Sequence, residues 1–286
     1  MFSRYCRTVL CTPATAPERF AACHASGADI CLVDLEDSVA PLRKEEARRA
    51  AVRFFTAARG LPVRCAVRIN PVVEPDGLRD LLALRDFPAP PEVVLVPKVE
   101  SPRDLEIVAE VLGGEVVLFA VIETPLGVQR LPEIAAAGHG LRALVFGSAD
   151  YAAALGSGLA WDPLAHARSV LVTTARANDL HAVDSPTFDL ADRALLRHES
   201  LLAKQFGFSG KIALHPEQLP AITRAFTPTA AELEQAARVV EAALRSGDGV
   251  TTVDGSMVGK PFFEAAQRLL AEFGPLTHTG SVTRTP

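Results

Sequence analysis

Val117-Leu118-Phe119-Ala120-Val121-Ile122-Glu123-Thr124 is an unbroken apolar run that stops at a carboxylate. Strict alternation would mark a strand with one wet face, whereas an unbroken run marks one covered on both faces, as in a parallel sheet. Two further stretches have the same form. Arg64-Cys65-Ala66-Val67-Arg68-Ile69-Asn70 closes on an arginine and an amide, and Ala143-Leu144-Val145-Phe146-Gly147-Ser148-Ala149-Asp150 closes on a small-residue turn and an aspartate. Each reads as a buried strand whose end carries a charge. An arginine and two carboxylates placed this way suit a divalent cation and a carbonyl compound.

Outward from these runs, strand-like segments recur at 6–13, 29–35, 63–69, 92–98, 116–123, 141–147, 181–184 and 210–215. Helical patterns fill the gaps, among them 41–58, 163–178 and 189–206, and Ser101-Pro102-Arg103-Asp104 is a capping box with proline at the first helical position. Eight β/α repeats predict an α/β fold of the TIM (β/α)8 barrel type over residues 1–226, with an open doubly wound sheet as the alternative. In a barrel, functional groups gather at the C-terminal ends of the strands. The polar residues fall there: Glu36 and Asp37, Arg68 and Asn70, Lys98 and Glu100, Glu123, Asp150, Asp184 and His215.

Beyond residue 226 the pattern changes. Thr229-Ala230-Ala231-Glu232 is a second capping box and opens a helix to about Arg245. Residues 247–259, rich in glycine, read as a flexible linker or lid. A last helix runs from near Pro261 to before Gly274. Residues 227–274 are therefore read as a C-terminal helical extension, able to dock on a neighbouring subunit, and 275–286 as a disordered tail.

The chain has 286 residues, is 49% hydrophobic and carries a formal net charge of −5. A large core is expected, and nucleic acid or an anionic membrane is not expected as a partner. No apolar stretch reaches the roughly 20 residues that span a bilayer, and Met1 to Arg7 has no signal-peptide pattern. The cysteines are Cys6, Cys11, Cys23, Cys31 and Cys65, without a Cys-x-x-Cys pair. They read as reduced, inert thiols of a cytoplasmic protein.

Glu123 and Asp150 close adjacent strands and are the candidate metal ligands. Mg²⁺ takes one or two protein carboxylates and leaves positions for water and substrate oxygens. The turn Gly147-Ser148-Ala149 at a helix N-terminus offers backbone N–H groups to a carboxylate. Arg68 is the candidate catalytic and substrate-binding cation, suited to a carbonyl oxygen and the enolate that develops there. Glu36 and Asp37 join it as catalytic candidates and as possible ion-pair partners, since a buried arginine needs one. Asp37 or Ser38 also suits the cap of the following helix. Lys98 and Glu100 read as structural ion-pair partners and His215 as a hydrogen-bonded wall residue.

These residues, taken in order, resemble the citrate lyase beta-subunit-like family, within the wider group of pyruvate- and 2-oxo-acid-handling aldolases. The similar pieces are Arg7-Thr8-Val9-Leu10 with Pro13 and Pro17-Glu18-Arg19, Gly27-Ala28-Asp29 through Asp34-Leu35-Glu36-Asp37-Ser38-Val39, Val67-Arg68-Ile69-Asn70, Val96-Pro97-Lys98-Val99-Glu100, Ile122-Glu123-Thr124, Phe146-Gly147 to Asp150, Gly210-Lys211 to His215-Pro216, and Asp254-Gly255-Ser256-Met257. The resemblance implies a TIM barrel assembled as a homotrimer or hexamer. It implies Mg²⁺ on Glu123 and Asp150, and substrate on Arg68, Glu123 and the Gly147–Asp150 turn. The implied reaction is carbon–carbon lyase cleavage of a 3-hydroxyacyl-CoA (malyl-, citramalyl- or citryl-CoA-like) into an acyl-CoA and a 2-oxo acid. One position departs. Catalytic members carry an acid two residues after the methionine of the Gly-x-Met motif; here that position is Gly259, with Asp254 the nearest acid. The opening turn also departs, reading Pro13-Ala14-Thr15-Ala16 where many members have Pro-Gly and a polar residue. An aldolase acting on free 2-oxo acids and a non-catalytic binding paralogue are the rival readings.

Overall fold

Eight parallel strands close into a barrel in the order of the sequence. They are β1 (Thr8–Pro13), β2 (Ile30–Asp34), β3 (Cys65–Arg68), β4 (Val93–Val96), β5 (Val117–Ile122), β6 (Leu141–Phe146), β7 (His181–Asp184) and β8 (Gly210–Ala213). β8 returns to pair with β1, Thr8 opposite Lys211, and that closure excludes the open sheet. The computed structural model describes residues 6–88, 91–113, 116–246 and 249–273.

The unbroken apolar runs follow from two apolar environments. Leu32, Leu95, Val121, Val145 and Ile212 line a cavity at the barrel. Val33, Val94, Ala120 and Leu144 join the larger core between sheet and helices. Each valine or leucine side chain moved from water into such a core contributes about 1.5–3 kcal/mol.

The connecting helices are α1 (Phe20–His24), α2 (Lys44–Ala57), α3 (Pro75–Arg85), α4 (Pro102–Leu112), α5 (Pro125–Gln129), α6 (Leu131–Ala135), α7 (Ser148–Leu155), α8 (Trp161–Ala177), α9 (Arg193–Phe206) and α10 (Leu219–Phe226). At α4 the Ser101 N–H donates to the Asp104 carboxylate at 2.9 Å. α9 starts later than the pattern at 189 suggests, because Asp192 accepts from the N–H groups of Ala194 and Leu195 and so fixes the first turn. Most strands are a residue or more shorter than their apolar runs. Glu123, Gly147 and His215 thus lie just past β5, β6 and β8, where the chain leaves the ladder to begin a helix.

The chain divides between Phe226 and Thr227. The second unit holds α11 (Ala230–Ser246), β9 (Thr251–Val253), β10 (Ser256–Val258) and α12 (Lys260–Phe273). Thr229 and Glu232 form a reciprocal cap: the Thr229 N–H donates to the Glu232 carboxylate at 2.7 Å, and the Glu232 N–H to the Thr229 hydroxyl at 3.2 Å. The linker expected over 247–259 is corrected. Its described part, from residue 249, is largely an antiparallel hairpin pairing Ser256 with Val253. Asp254 and Gly255 take the turn, both at positive φ (49° and 78°). Asp-Gly between short β-branched runs is the favoured two-residue hairpin turn, and its glycine supplies the left-handed conformation without strain. Val253 and Val258 are buried with Ala236, Val239 and Ala266 in a small core. The tail reading for 275–286 lies outside the described residues.

Among the described residues no helix is long and apolar enough to cross a membrane. The cysteine thiols are free, all but Cys11 buried. Burial pushes the Cys6 and Cys65 thiols up to about 12, which leaves them protonated and unreactive at neutral pH.

Candidate active site

Parallel register sets Asp34, the last residue of β2, directly beside Arg68, the last of β3. The Arg68 guanidinium grips both Asp34 oxygens, Nε to Oδ1 at 2.6 Å and Nη2 to Oδ2 at 2.7 Å. Burial alone would raise the Asp34 pKa, but the Arg68 charge and these bonds hold it below the usual carboxylate range. The third Arg68 nitrogen, Nη1, stands 2.8 Å from Glu36 Oε2, an ion pair rather than a well-aligned hydrogen bond. The expected partners of Arg68 were Glu36 or Asp37. Glu36 is one, Asp34 is the other, and Asp37 is not.

Glu36 holds Lys98 with its other oxygen, Nζ to Oε1 at 2.7 Å. Burial pushes the Glu36 carboxyl up against the pull of both cations. The Lys98 ammonium also stands 3.7 Å from Asp150 and 3.9 Å from Asp37. Lys98 is therefore an ion-pair residue, as read, and also the bridge between the two groups of carboxylates. Its backbone has φ +50°, a conformation that costs a non-glycine residue about 1 kcal/mol. The strain aims its N–H at Glu123 Oε1, 2.9 Å away. Among the described residues Glu100 makes no comparable ion pair; it gives its backbone N–H to Asp104.

Glu123 is 2% exposed. Burial, with Glu36 and Asp150 as like-charged neighbours, pushes its carboxyl up to about 8 despite Arg68 and Lys98. Its position depends on Gly147, where an added Cβ would meet the Glu123 carboxylate. Gly147 also precedes α7, whose first residues Ser148, Ala149 and Asp150 line the same cavity. The first-turn N–H groups of a helix lack intrahelical acceptors and favour an anion.

Arg68, Glu123, Asp150, the 147–149 turn and Asp37 meet around one cavity of about 260 Å³, with Pro186 and Phe188 from the loop after β7. Glu36 stands behind the cavity, holding Arg68 and Lys98. Asp37 lies at its exposed edge, 53% accessible, and neither it nor Ser38 caps the next helix. Asp184 is drawn away, bonded to Arg168 and Lys211. His215 is exposed, its Nδ1 accepting from the Glu217 N–H at 3.3 Å. Asn70 belongs to a supporting layer: it accepts from Lys44 at 2.6 Å and donates to Asp80, which holds Arg48.

The donor set fits a divalent cation. Among the described residues no group of three or more His, Cys, Asp or Glu is arranged to hold a metal. A cation at Glu123 and Asp150 would thus have two protein carboxylates, a number Mg²⁺ commonly takes. A buried carboxylate with a raised pKa beside another carboxylate is the electrostatic deficit that a cation relieves.

The residues the sequence did not single out are Asp34 and Phe188. Asp34 reads as one more polar residue of its run, and only strand register makes it the arginine's partner. Phe188 reads as a loop residue.

In the second unit, Gly259 joins β10 to α12, and its carbonyl accepts from the N–H groups of Phe262 and Phe263. It lines a cavity of about 460 Å³ with Val258, Lys260 and Phe263. Asp254 is tied to Arg238 at 3.1 Å.

A family model described as HpcH/HpaI aldolase/citrate lyase matches residues 7–216. Citrate lyase subunit beta of Escherichia coli (strain K12) is 33% identical over 259 residues, covering 85% of each chain. The (3S)-malyl-CoA thioesterase of Cereibacter sphaeroides (strain ATCC 17025 / ATH 2.4.3) is 35% identical over 272 residues, covering 93% of this chain and 94% of that one. Among solved structures, CitE from Mycobacterium tuberculosis in complex with magnesium, acetoacetate and coenzyme A matches with a TM-score of 0.81 and 32% identity, over 95% of this chain and 99% of that one.

Proposed function

The chain belongs to the HpcH/HpaI aldolase/citrate lyase family, and on that premise we propose that it is a Mg²⁺-dependent carbon–carbon lyase of 3-hydroxyacyl-CoA thioesters. The observation that carries the reading is the convergence of Arg68, Glu123, Asp150 and the α7 N-terminus on one cavity. Magnesium in the complex of the M. tuberculosis relative and coenzyme A in the same complex support the cofactor and the substrate class.

Glu123 and Asp150 would hold the cation. When bound, Mg²⁺ supplies Lewis-acid polarisation of the oxygens of the 2-oxo acid portion. The N–H groups of Ser148 to Asp150 receive that portion's carboxylate. Asp37 takes the proton of the 3-hydroxyl, because it is the cavity carboxylate outside the metal pair. The bond between the two substrate carbons then breaks, its electron pair passes to the thioester carbonyl, and the hydroxyl carbon becomes the ketone or aldehyde of the 2-oxo acid. Arg68 faces the developing enolate oxygen. Asp34 and Glu36 hold its guanidinium in place, so little reorganisation is needed. The proton that Asp37 took is returned to the enolate carbon, which completes the acyl-CoA and resets the carboxylate.

The name of the C. sphaeroides relative favours a second reading, hydrolysis of the same thioester to a free hydroxy acid and CoA. One experiment separates the two. Purified chain with Mg²⁺ is offered malyl-, citramalyl- and citryl-CoA. Release of an acyl-CoA with a 2-oxo acid supports the lyase; release of free CoA with the intact hydroxy acid supports the hydrolase. Turnover of none of the three removes both.

A further inference from the structure

Lys44 opens α2, where a cation works against the helix dipole, so the helix gains nothing from it. The half-buried side chain reaches instead to the turn that follows β2. Its ammonium has three N–H groups to give. They go to the Leu35 carbonyl at 2.8 Å, the Glu36 carbonyl at 2.8 Å and Asn70 Oδ1 at 2.6 Å. None of these acceptors is a carboxylate, so Lys44 is spent on the backbone rather than on an ion pair. Asp80 fixes the Asn70 amide: it accepts from Nδ2 at 2.6 Å, which leaves Oδ1 for Lys44, and from the Asn70 N–H at 2.7 Å. Arg48 holds Asp80 in turn, Nε to Oδ1 at 2.7 Å. The N–H groups of the same turn go to Asp34, from Glu36 at 3.1 Å and from Ser38 at 3.2 Å. The turn is thus held by its N–H groups through an anion and by its carbonyls through a cation.

The turn carries two acids with unequal support. Glu36 is fixed by its own side chain, through Arg68 and Lys98. Among the described residues the Asp37 carboxylate accepts no hydrogen bond, and its one ion pair, with Lys98, is 3.9 Å long. Its place at the cavity therefore depends on the backbone that carries it. We propose that Lys44 is the positioning residue of the proton step: by clamping the carbonyls of Leu35 and Glu36, it sets where the Asp37 carboxylate stands. The proposal rests on the functional reading above. A misplacement of about 1 Å in a reacting group costs on the order of 10²-fold in rate. Glu123, Asp150 and the α7 N-terminus receive metal and substrate in that reading, and Lys44 bonds to none of them. The loss on removing its ammonium therefore falls on kcat rather than on KM.

The test is steady-state turnover of the full chain with Mg²⁺, on the thioester that the parent cleaves, in a double-mutant cycle. Lys44→Met keeps the apolar stem and removes the ammonium. It should lower kcat about 10- to 100-fold and leave KM within about threefold. In an Asp37→Asn chain the same change should cost less than about threefold, because the base that Lys44 places is already gone. Hydrogen exchange gives a readout without substrate. Residues 35–39 should exchange at least about tenfold faster in Lys44→Met, with β5 unchanged. Should Lys44→Met not fold, Lys44→Arg takes its place under the same criteria, since a planar fork does not fit three acceptors set around one ammonium. Three results each overturn the proposal and leave the functional reading standing: parental kcat in the variant, unchanged exchange over 35–39, or an equal loss with and without Asp37. A parent that turns over none of the thioesters removes that reading, and this proposal with it.

Discussion

Gly147 and Glu123 form a steric and electrostatic unit. Gly147 has φ −99°, so alanine there meets no backbone strain. Its Cβ would instead collide with the Glu123 carboxylate. Gly147→Ala should fold yet lose Mg²⁺ binding at least tenfold, by displacing Glu123; calorimetry with Mg²⁺ checks this, and parental affinity would remove Glu123 from the metal site. Glu123 also predicts a pH dependence. Its folded pKa of about 8 lies above the reference 4.5, so the folded state holds the proton more tightly. That contribution favours the fold at low pH and is lost as pH rises from about 4.5 through 8. Metal-free Glu123→Gln should therefore melt above the parent at pH 9, with the gap shrinking towards pH 5. In the parent, Mg²⁺ affinity should fall as pH drops below 8. Melting curves with and without Mg²⁺ at the two pH values measure both. Arg68→Lys keeps one charge but not the planar fork that meets Asp34 and Glu36 at once. It should fold and lose roughly 10²–10³ in kcat, the usual effect of removing one well-placed oxyanion stabiliser. Parental turnover would make Arg68 a purely structural ion-pair partner.

At the scale of elements, the loop after β2 and the hairpin β9–β10 offer rival acids. Asp37 follows β2 and lines the cavity. Asp254 sits in the hairpin turn, in a left-handed conformation and paired with half-exposed Arg238. Asparagine tolerates that conformation, and exposed pairs contribute about 0–1 kcal/mol. Asp254→Asn should therefore leave turnover unchanged and lower stability by less than about 1 kcal/mol. Asp37→Asn should cut kcat by about 10²–10⁴, the usual range for a general base, with the fold intact. The reverse pattern in the same steady-state assay would return the proton step to the hairpin.

For the whole molecule, the residues assigned to metal and acid all lie between Asp34 and Phe188, within the barrel's share of the chain. A chain ending at Phe226 should keep Mg²⁺ and 2-oxo acid binding. Ligand at 100 times its Kd stabilises by about 2.7 kcal/mol. For a barrel of this size that corresponds to a rise in Tm of roughly 5–10 °C. The same rise in the full and the shortened chain is the expected outcome; its loss on shortening would assign part of the site to residues after Phe226.

The sequence by itself determined the eightfold β/α alternation, because mostly unbroken apolar runs alternating with amphipathic ones leave few ways to bury both faces of a strand. The pairing of β8 with β1, which makes it a closed barrel rather than an open sheet, was decided by the tertiary structure. The sequence also located the charged ends of those strands, because a charge closing an apolar run has to leave the core. The hairpin at 251–258 was equally legible from Asp254-Gly255 between β-branched residues, but the glycine-rich composition pointed to a linker instead. Only the tertiary structure decided the pairings. Asp34 and Arg68 are 34 residues apart in sequence and meet because parallel register makes them neighbours. Glu36 and Lys98, 62 residues apart, meet across two strand ends. Which carboxylate holds the arginine, and which is left beside the cavity, depends on distances that no local pattern encodes. Hydrophobic burial is summed along the chain and survives in one dimension; electrostatic partnership depends on a few ångströms and requires three.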